Sequence, residues 1–279
     1  VKRLDPLTLL RLQLQDTIGA YCSFCEVPVN VSQAVMSKRV RQLKRVPPLS
    51  DWSNLLLACD YCQVHRTADA ADLSRYLWPD TDATFSLGSA SPFLYALKDV
   101  TYIVTTDTPP DSGPALPGST KQMAIVSANP SSPSVTQAQN TIDLFQLNTP
   151  FYNASTNTFT ISESALQARI DPRVDLRTQA WTVAASAIAT LREAKGMAST
   201  APAYYDGAVK LTAALAQANG FWSSWMTTIW QAFGDSALIR AVLLDTDTRR
   251  GYQVLGNQTV PDGGRPPWTI FTGTAVKRL

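Results

Sequence analysis

Four cysteines carry the clearest chemistry in this chain. They stand as Cys22-x-x-Cys25 and Cys59-x-x-Cys62, with 33 residues between the pairs and no other cysteine in the 279 residues. A CxxC knuckle presents two sulfurs on one side of a tight turn, and two knuckles can close tetrahedrally on Zn2+. Two disulfides would need an oxidising compartment that nothing else in the sequence indicates. A redox pair needs only one CxxC, in a different fold context. The spacing therefore predicts structural zinc, whose binding would help fold a segment too small to hold a core alone. A second feature lies between the pairs: Lys38, Arg39, Arg41, Lys44 and Arg45 form a basic run with no acid among them. Taken alone, such a run reads as a solvated loop.

Around the cysteines the chain reads Tyr21-Cys22-Ser23-Phe24-Cys25-Glu26. It later reads Asp51-Trp52-Ser53-Asn54-Leu55-Leu56-Leu57-Ala58-Cys59-Asp60-Tyr61-Cys62-Gln63-Val64-His65-Arg66. This order resembles the HNH (ββα-metal) endonucleases in which a zinc ribbon brackets the active site. The resemblance implies a strand that ends at the Gln33-Ala34 position, then a loop, and then the Trp52-to-Cys62 stretch running into a helix. It also implies roles. Cys22, Cys25, Cys59 and Cys62 are the zinc ligands, and Asn54 pins the loop. Gln33 and Gln63 stand where one catalytic Mg2+ or Mn2+ is held, and Ala34 stands where the general-base histidine belongs. Val35-Met36-Ser37-Lys38 matches the continuation after that histidine and supports the register.

Alanine cannot accept a proton, so a chain with Ala34 is expected to be inactive as a nuclease. Alanine is what an experimenter installs to silence a nuclease, and the retained Asn54 and cysteines favour that reading. The neutral amides Gln33 and Gln63 suit the alternative, a naturally inactive relative, because a hard divalent cation prefers carboxylates. His65, the only histidine, falls two residues past the usual ligand position. It reads as an ordinary helical histidine beside Arg66 more readily than as a ligand or displaced base. Arg66 stands where the family usually has lysine. With Lys38, Arg39, Arg41, Lys44 and Arg45, it would neutralise phosphates in a salt-sensitive, largely sequence-independent way.

The elements that must hold these residues are less uniform. Thr67 to Leu77 reads as a short helix, and Phe93 to Thr105, rich in β-branched and aromatic residues, as one strand or two. Thr106 to Pro133 is rich in Pro, Ser, Gly and Thr and reads as loop. A short helix over Asn140 to Leu147 and a hairpin around Asn153 to Thr160 follow. Asp171-Pro172-Arg173 then opens a helix, with Asp171 as cap and Leu176, Ala180, Val183, Ala187 and Leu191 as its apolar stripe. Further helices are expected over Tyr205 to Ala218, Phe221 to Phe233 and Ser236 to Leu244. The aromatic stripe of the third reads as core. Gly256 to Pro267 is turn-rich, and Trp268 to Thr274 reads as a final strand.

The expected fold class is α+β: a zinc-stapled ββα-metal module over 1–90, a mixed strand and loop connection over 91–160, and a mainly helical region over 161–279. Lys and Arg number 24 against 22 Asp and Glu, so overall charge does not argue for nucleic acid. No apolar run reaches the roughly 18–20 residues that span a bilayer, and no signal peptide opens the sequence, so a cytoplasmic protein with no membrane partner is expected. Tyr76 to Phe85, Thr141 to Asn148, Asp171 to Trp181, Gly220 to Thr227 and Phe271 to Thr274 resemble segments of the nuclease subunit of Septu-type phage-defence systems and, equally, of its stand-alone relatives. That resemblance implies a DNA endonuclease in antiviral defence, with an ABC-type ATPase as partner. No Walker A motif occurs, so this chain is not itself that ATPase. Two other readings stand beside it: an inactive nucleic-acid- or partner-binding module, and a zinc-ribbon scaffold that docks a partner through its helices. Exposure of Trp222, Trp225 or Trp230 would favour the last.

Overall fold

In the computed structural model, residues 21–29, 35–37, 55–64, 73–78, 82, 91–105, 120–148, 152–162 and 171–243 are described. They form an α+β structure. Two short strands, β1 (Val35–Ser37) and β2 (Leu55–Leu57), pair antiparallel with Met36 opposite Leu56. Helix α1 (Asp60–Val64) follows β2, and a single 3-10 turn occupies Leu73–Arg75.

A larger sheet has the strand order β4-β3-β6-β5, from β3 (Phe93–Thr105), β4 (Thr120–Ala128), β5 (Tyr152–Asn153) and β6 (Thr158–Ser162). Its long strand β3 pairs antiparallel with β4 over its first part and parallel with β6 over its last. Helix α2 (Val135–Phe145) lies between β4 and β5 in sequence. The remainder is helical: α3 (Arg173–Gly196), α4 (Pro202–Asn219), α5 (Trp222–Phe233) and α6 (Ser236–Leu243).

The free edge of β4 is covered by side chains rather than by another strand. Asn148 mimics a neighbouring strand: its Nδ2 donates to Val126 O at 2.6 Å and its Oδ1 accepts from Val126 N at 3.0 Å. Two residues away, Thr178 Oγ1 accepts from Ala124 N and Arg177 donates to Ala124 O. An open edge presents unpaired backbone groups that template aggregation, and Asn148 together with two polar side chains of α3 removes that template here.

Three buried clusters make the core. One joins the cysteine knuckles to the sheet and α2, where Phe24 stacks on Phe145 at 3.8 Å and Trp78 packs edge-on to both. The second lies among α3 to α6, and the third sits between the sheet and the start of α3.

Several expectations shift. Thr120–Ala128 is strand, not loop: Met123 to Val126 form a wholly buried apolar run inside a stretch whose Pro, Ser and Gly content hides it. Helix α2 begins at Val135, five residues before the expected start, because a turn over residues 130–134 delivers the chain to it. The expected helix over Thr67 to Leu77 is, among the described residues, only the 3-10 turn. Helix α3 starts at Arg173 rather than Pro172, although Asp171 Oδ1 does accept the Arg173 N–H at 3.0 Å. Its buried face is Arg173, Val174, Arg177, Ala180, Trp181, Ala184, Ala187, Ile188, Leu191 and Ala194, leaving Leu176 and Val183 half-buried. Trp222 and Trp225 are fully buried, as the core reading of the aromatic stripe expects. The expected strand over Trp268 to Thr274 and the turn-rich Gly256 to Pro267 lie outside the described residues.

Candidate metal centre

Two local turns and one long-range closure bring the four sulfurs together. Cys22 and Cys25 flank a turn closed by Glu26 N donating to Cys22 O at 3.0 Å and Cys22 N donating to Val27 O at 2.9 Å. Glu26 takes φ +65°, the left-handed turn-ending conformation that non-glycine residues seldom adopt. Cys59 and Cys62 stand at the entry and within the first turn of α1. The knuckles meet because Ser23 N donates to Leu57 O at 2.8 Å, which docks the first turn on β2.

All four thiols are free and buried, and their Sγ atoms lie within 4.8 Å of one another, with Cys25 and Cys59 at 3.5 Å. A tetrahedral zinc with bonds of about 2.3 Å separates its sulfurs by about 3.8 Å, so the cluster matches an ion site of four thiolates. The thiols' own chemistry points the same way. Burial pushes Cys25 and Cys62 well above the usual thiol range. Burial opposes the charge on Cys22 too, but hydrogen bonds from the other three sulfhydryls outweigh it and hold that thiol well below the range. Sulfhydryl neighbours thus support one thiolate; four buried thiolates need a cation.

Two polar side chains tie this centre to the helical region. Arg173, 1% exposed, donates from Nη1 to Cys62 Sγ at 3.1 Å and to Phe145 O at 2.8 Å, and from Nη2 to Gln146 O. Its Nε and Nη2 pair with the Asp171 carboxylate, and its guanidinium lies over the ring of Tyr61, which stands between Cys59 and Cys62 in sequence. Glu26 accepts from Ser223 N and Ser223 Oγ at the start of α5, a helix whose own cap residue, Phe221, has no capping side chain. A carboxylate there satisfies an orphan N–H and meets the positive end of the helix dipole. Burial nonetheless pushes the Glu26 carboxyl up to about 7, against the hydrogen bonds from Ser223.

Of the residues singled out from sequence, Cys22, Cys25, Cys59 and Cys62 come together as expected. Gln63 lies in α1, directly after Cys62. Gln33, Ala34, Asn54, His65, Arg66, Lys38, Arg39, Arg41, Lys44 and Arg45 lie outside the described residues. Arg173, Arg177 and Glu26 were not foreseen. A signal for the arginines was present: Arg173 and Arg177 share the face of α3 that continues into Ala180, Trp181 and Ala184. Cations on an apolar stripe imply buried acceptors.

No model of a known protein family matches the chain, and comparison with curated proteins and with solved structures likewise finds no match. Among the described residues no helix is long and apolar enough to cross a membrane.

Proposed function

We propose that the four cysteines hold a structural Zn2+ that staples a ββα module of the HNH kind. On this reading the chain is a nuclease-derived, nucleic-acid-directed protein lacking its general base at Ala34. The observation that carries it is the order of elements around the cysteines. A strand beginning at Val35, directly after Ala34 in sequence, pairs antiparallel with Leu55–Leu57, which leads through Cys59 into the helix bearing Cys62 and Gln63. A strand, a strand and a helix in this order, with the sulfurs clustered at the helix entry, support the ββα reading, although the described strand begins at Val35 where the resemblance has the strand ending at Ala34.

The residues fit zinc and fit a catalytic cation less well. Four buried sulfurs are a closed, soft donor set suited to a structural ion, and it leaves no open position for substrate. Gln33 and Gln63 would offer a hard divalent cation only neutral amides, so no catalytic step through Mg2+ or Mn2+ is drawn for this chain. The basic residues Lys38, Arg39, Arg41, Lys44, Arg45 and Arg66 are the proposed contacts to DNA phosphates. An ABC-type ATPase partner in antiviral defence rests on the resemblance alone.

The test is plasmid cleavage by the chain and by Ala34→His, each with Mg2+, Mn2+ or EDTA. Metal-dependent cleavage by the histidine form alone supports the reading, since a histidine there can take a proton from water at neutral pH. A histidine form that binds divalent metal and DNA but never cuts overturns it. The burial of Trp222 and Trp225 removes two of the three aromatics that would have favoured a docking scaffold.

A further inference from the structure

Arg173 is placed where a counter-charge to the metal centre would be. A zinc ion with four thiolates carries a net charge of −2, and a buried anion of that size needs cations or donors within reach. Among the described residues, the guanidinium that donates to a cysteine sulfur is that of Arg173, 111 residues from Cys62 along the chain. Of the five N–H donors of an arginine, four are hydrogen-bonded, Nε to Asp171, Nη1 to Cys62 Sγ and Phe145 O and Nη2 to Gln146 O, and Nη2 also ion-pairs with Asp171. One of the five is directed at sulfur although the group is fully buried and oxygen acceptors are the stronger partners. One turn further along α3, Arg177 is equally buried and donates only to neutral acceptors, Ala124 O, Leu147 O and Asn148 Oδ1. Arg173 touches a ligand sulfur but is itself ion-paired with Asp171, so what it offers the sulfur is a charged N–H donor rather than a full counter-charge.

We propose that Arg173 is a positioning residue of the metal centre. Its charge-assisted N–H···S bond to Cys62 would stabilise the four-thiolate state. The proposal rests on the zinc reading above. It also gives the centre a long-range partner: metal binding would be coupled to seating the first turn of α3 against α1.

Arg173→Lys and Arg173→Gln separate this role from a structural one. Both lose the planar fork that spans Phe145 O and Gln146 O, but lysine keeps the charge and glutamine does not. Zinc affinity is read by competition with a metallochromic chelator, and the Co2+ form by its thiolate-to-metal charge-transfer band. The expected result is a fall of about 10- to 100-fold in zinc affinity for Arg173→Gln. Arg173→Lys should fall much less at a similar loss of thermal stability. In Arg173→Lys the cobalt band should move to lower energy as the bond to Cys62 weakens. Equal losses of affinity in the two variants, or no loss in either, would overturn the proposal. Should Arg173→Gln not fold, the cobalt band of Arg173→Lys decides alone: an unmoved band refutes the N–H···S role. If the unsubstituted chain takes up neither zinc nor cobalt, it is the zinc reading that has failed.

Discussion

Gly220→Ala tests the joint between the cysteine knuckle and the helices. Gly220 ends α4 with φ +68° and ψ −152°, a region of backbone space that is essentially glycine-only. A Cβ built there would lie 2.5 Å from Glu26 O and 2.9 Å from Pro28 Cδ, the first being backbone that cannot swing aside. The next residue, Phe221, donates its N–H to that same Glu26 oxygen at 3.0 Å. Relieving the clash therefore separates the chains and stretches this bond. The backbone conformation costs about 1–3 kcal/mol for alanine, and the weakened hydrogen bond about 1 kcal/mol more. The expected loss is about 2–4 kcal/mol, read as a fall in the urea midpoint by far-UV circular dichroism at unchanged slope. Gly207→Ala is the internal control: Gly207 lies within α4 with nothing within 4 Å of a built Cβ. There alanine should stabilise by roughly 0.5–1 kcal/mol, because it costs less helix entropy than glycine. A Gly220→Ala protein that loses less than about 1 kcal/mol would refute the described packing of Glu26 and Pro28 on the α4–α5 turn.

Two other outcomes follow from the same geometry. Elemental analysis should find one zinc per chain, and Cys62→Ser, which removes the sulfur that Arg173 contacts, should abolish stoichiometric retention; retention of a full equivalent would rule out the four-sulfur site. Trp225 is fully buried, and its indole N–H has no acceptor. Trp225→Ala should therefore cost about 3–5 kcal/mol through the cavity it leaves. Trp225→Phe should cost only about 1 kcal/mol, since it opens a small cavity and breaks no hydrogen bond. Equal losses in the two variants on chemical denaturation would contradict this.

The amino-acid sequence by itself determined what depends on near neighbours. The CxxC spacing sets two sulfurs on each turn whatever the rest of the chain does, so the four ligands were legible. The period of α3, α4 and α5 was legible for the same reason, since a helix answers to residues three and four apart. Strand β4 was partly hidden: Met123 to Val126 is a short apolar run that periodicity does not distinguish from its turn-rich surroundings. What stops it from being an open edge is Asn148, Thr178 and Arg177, which lie well beyond it in the chain. Tertiary structure alone decided the surroundings of the cysteine centre. Glu26 meets Ser223 across 197 residues and Arg173 meets Cys62 across 111. No local pattern encodes such pairs, because the force that selects them is the cost of burying a charge without a partner, and that cost exists only once the chain has closed around it.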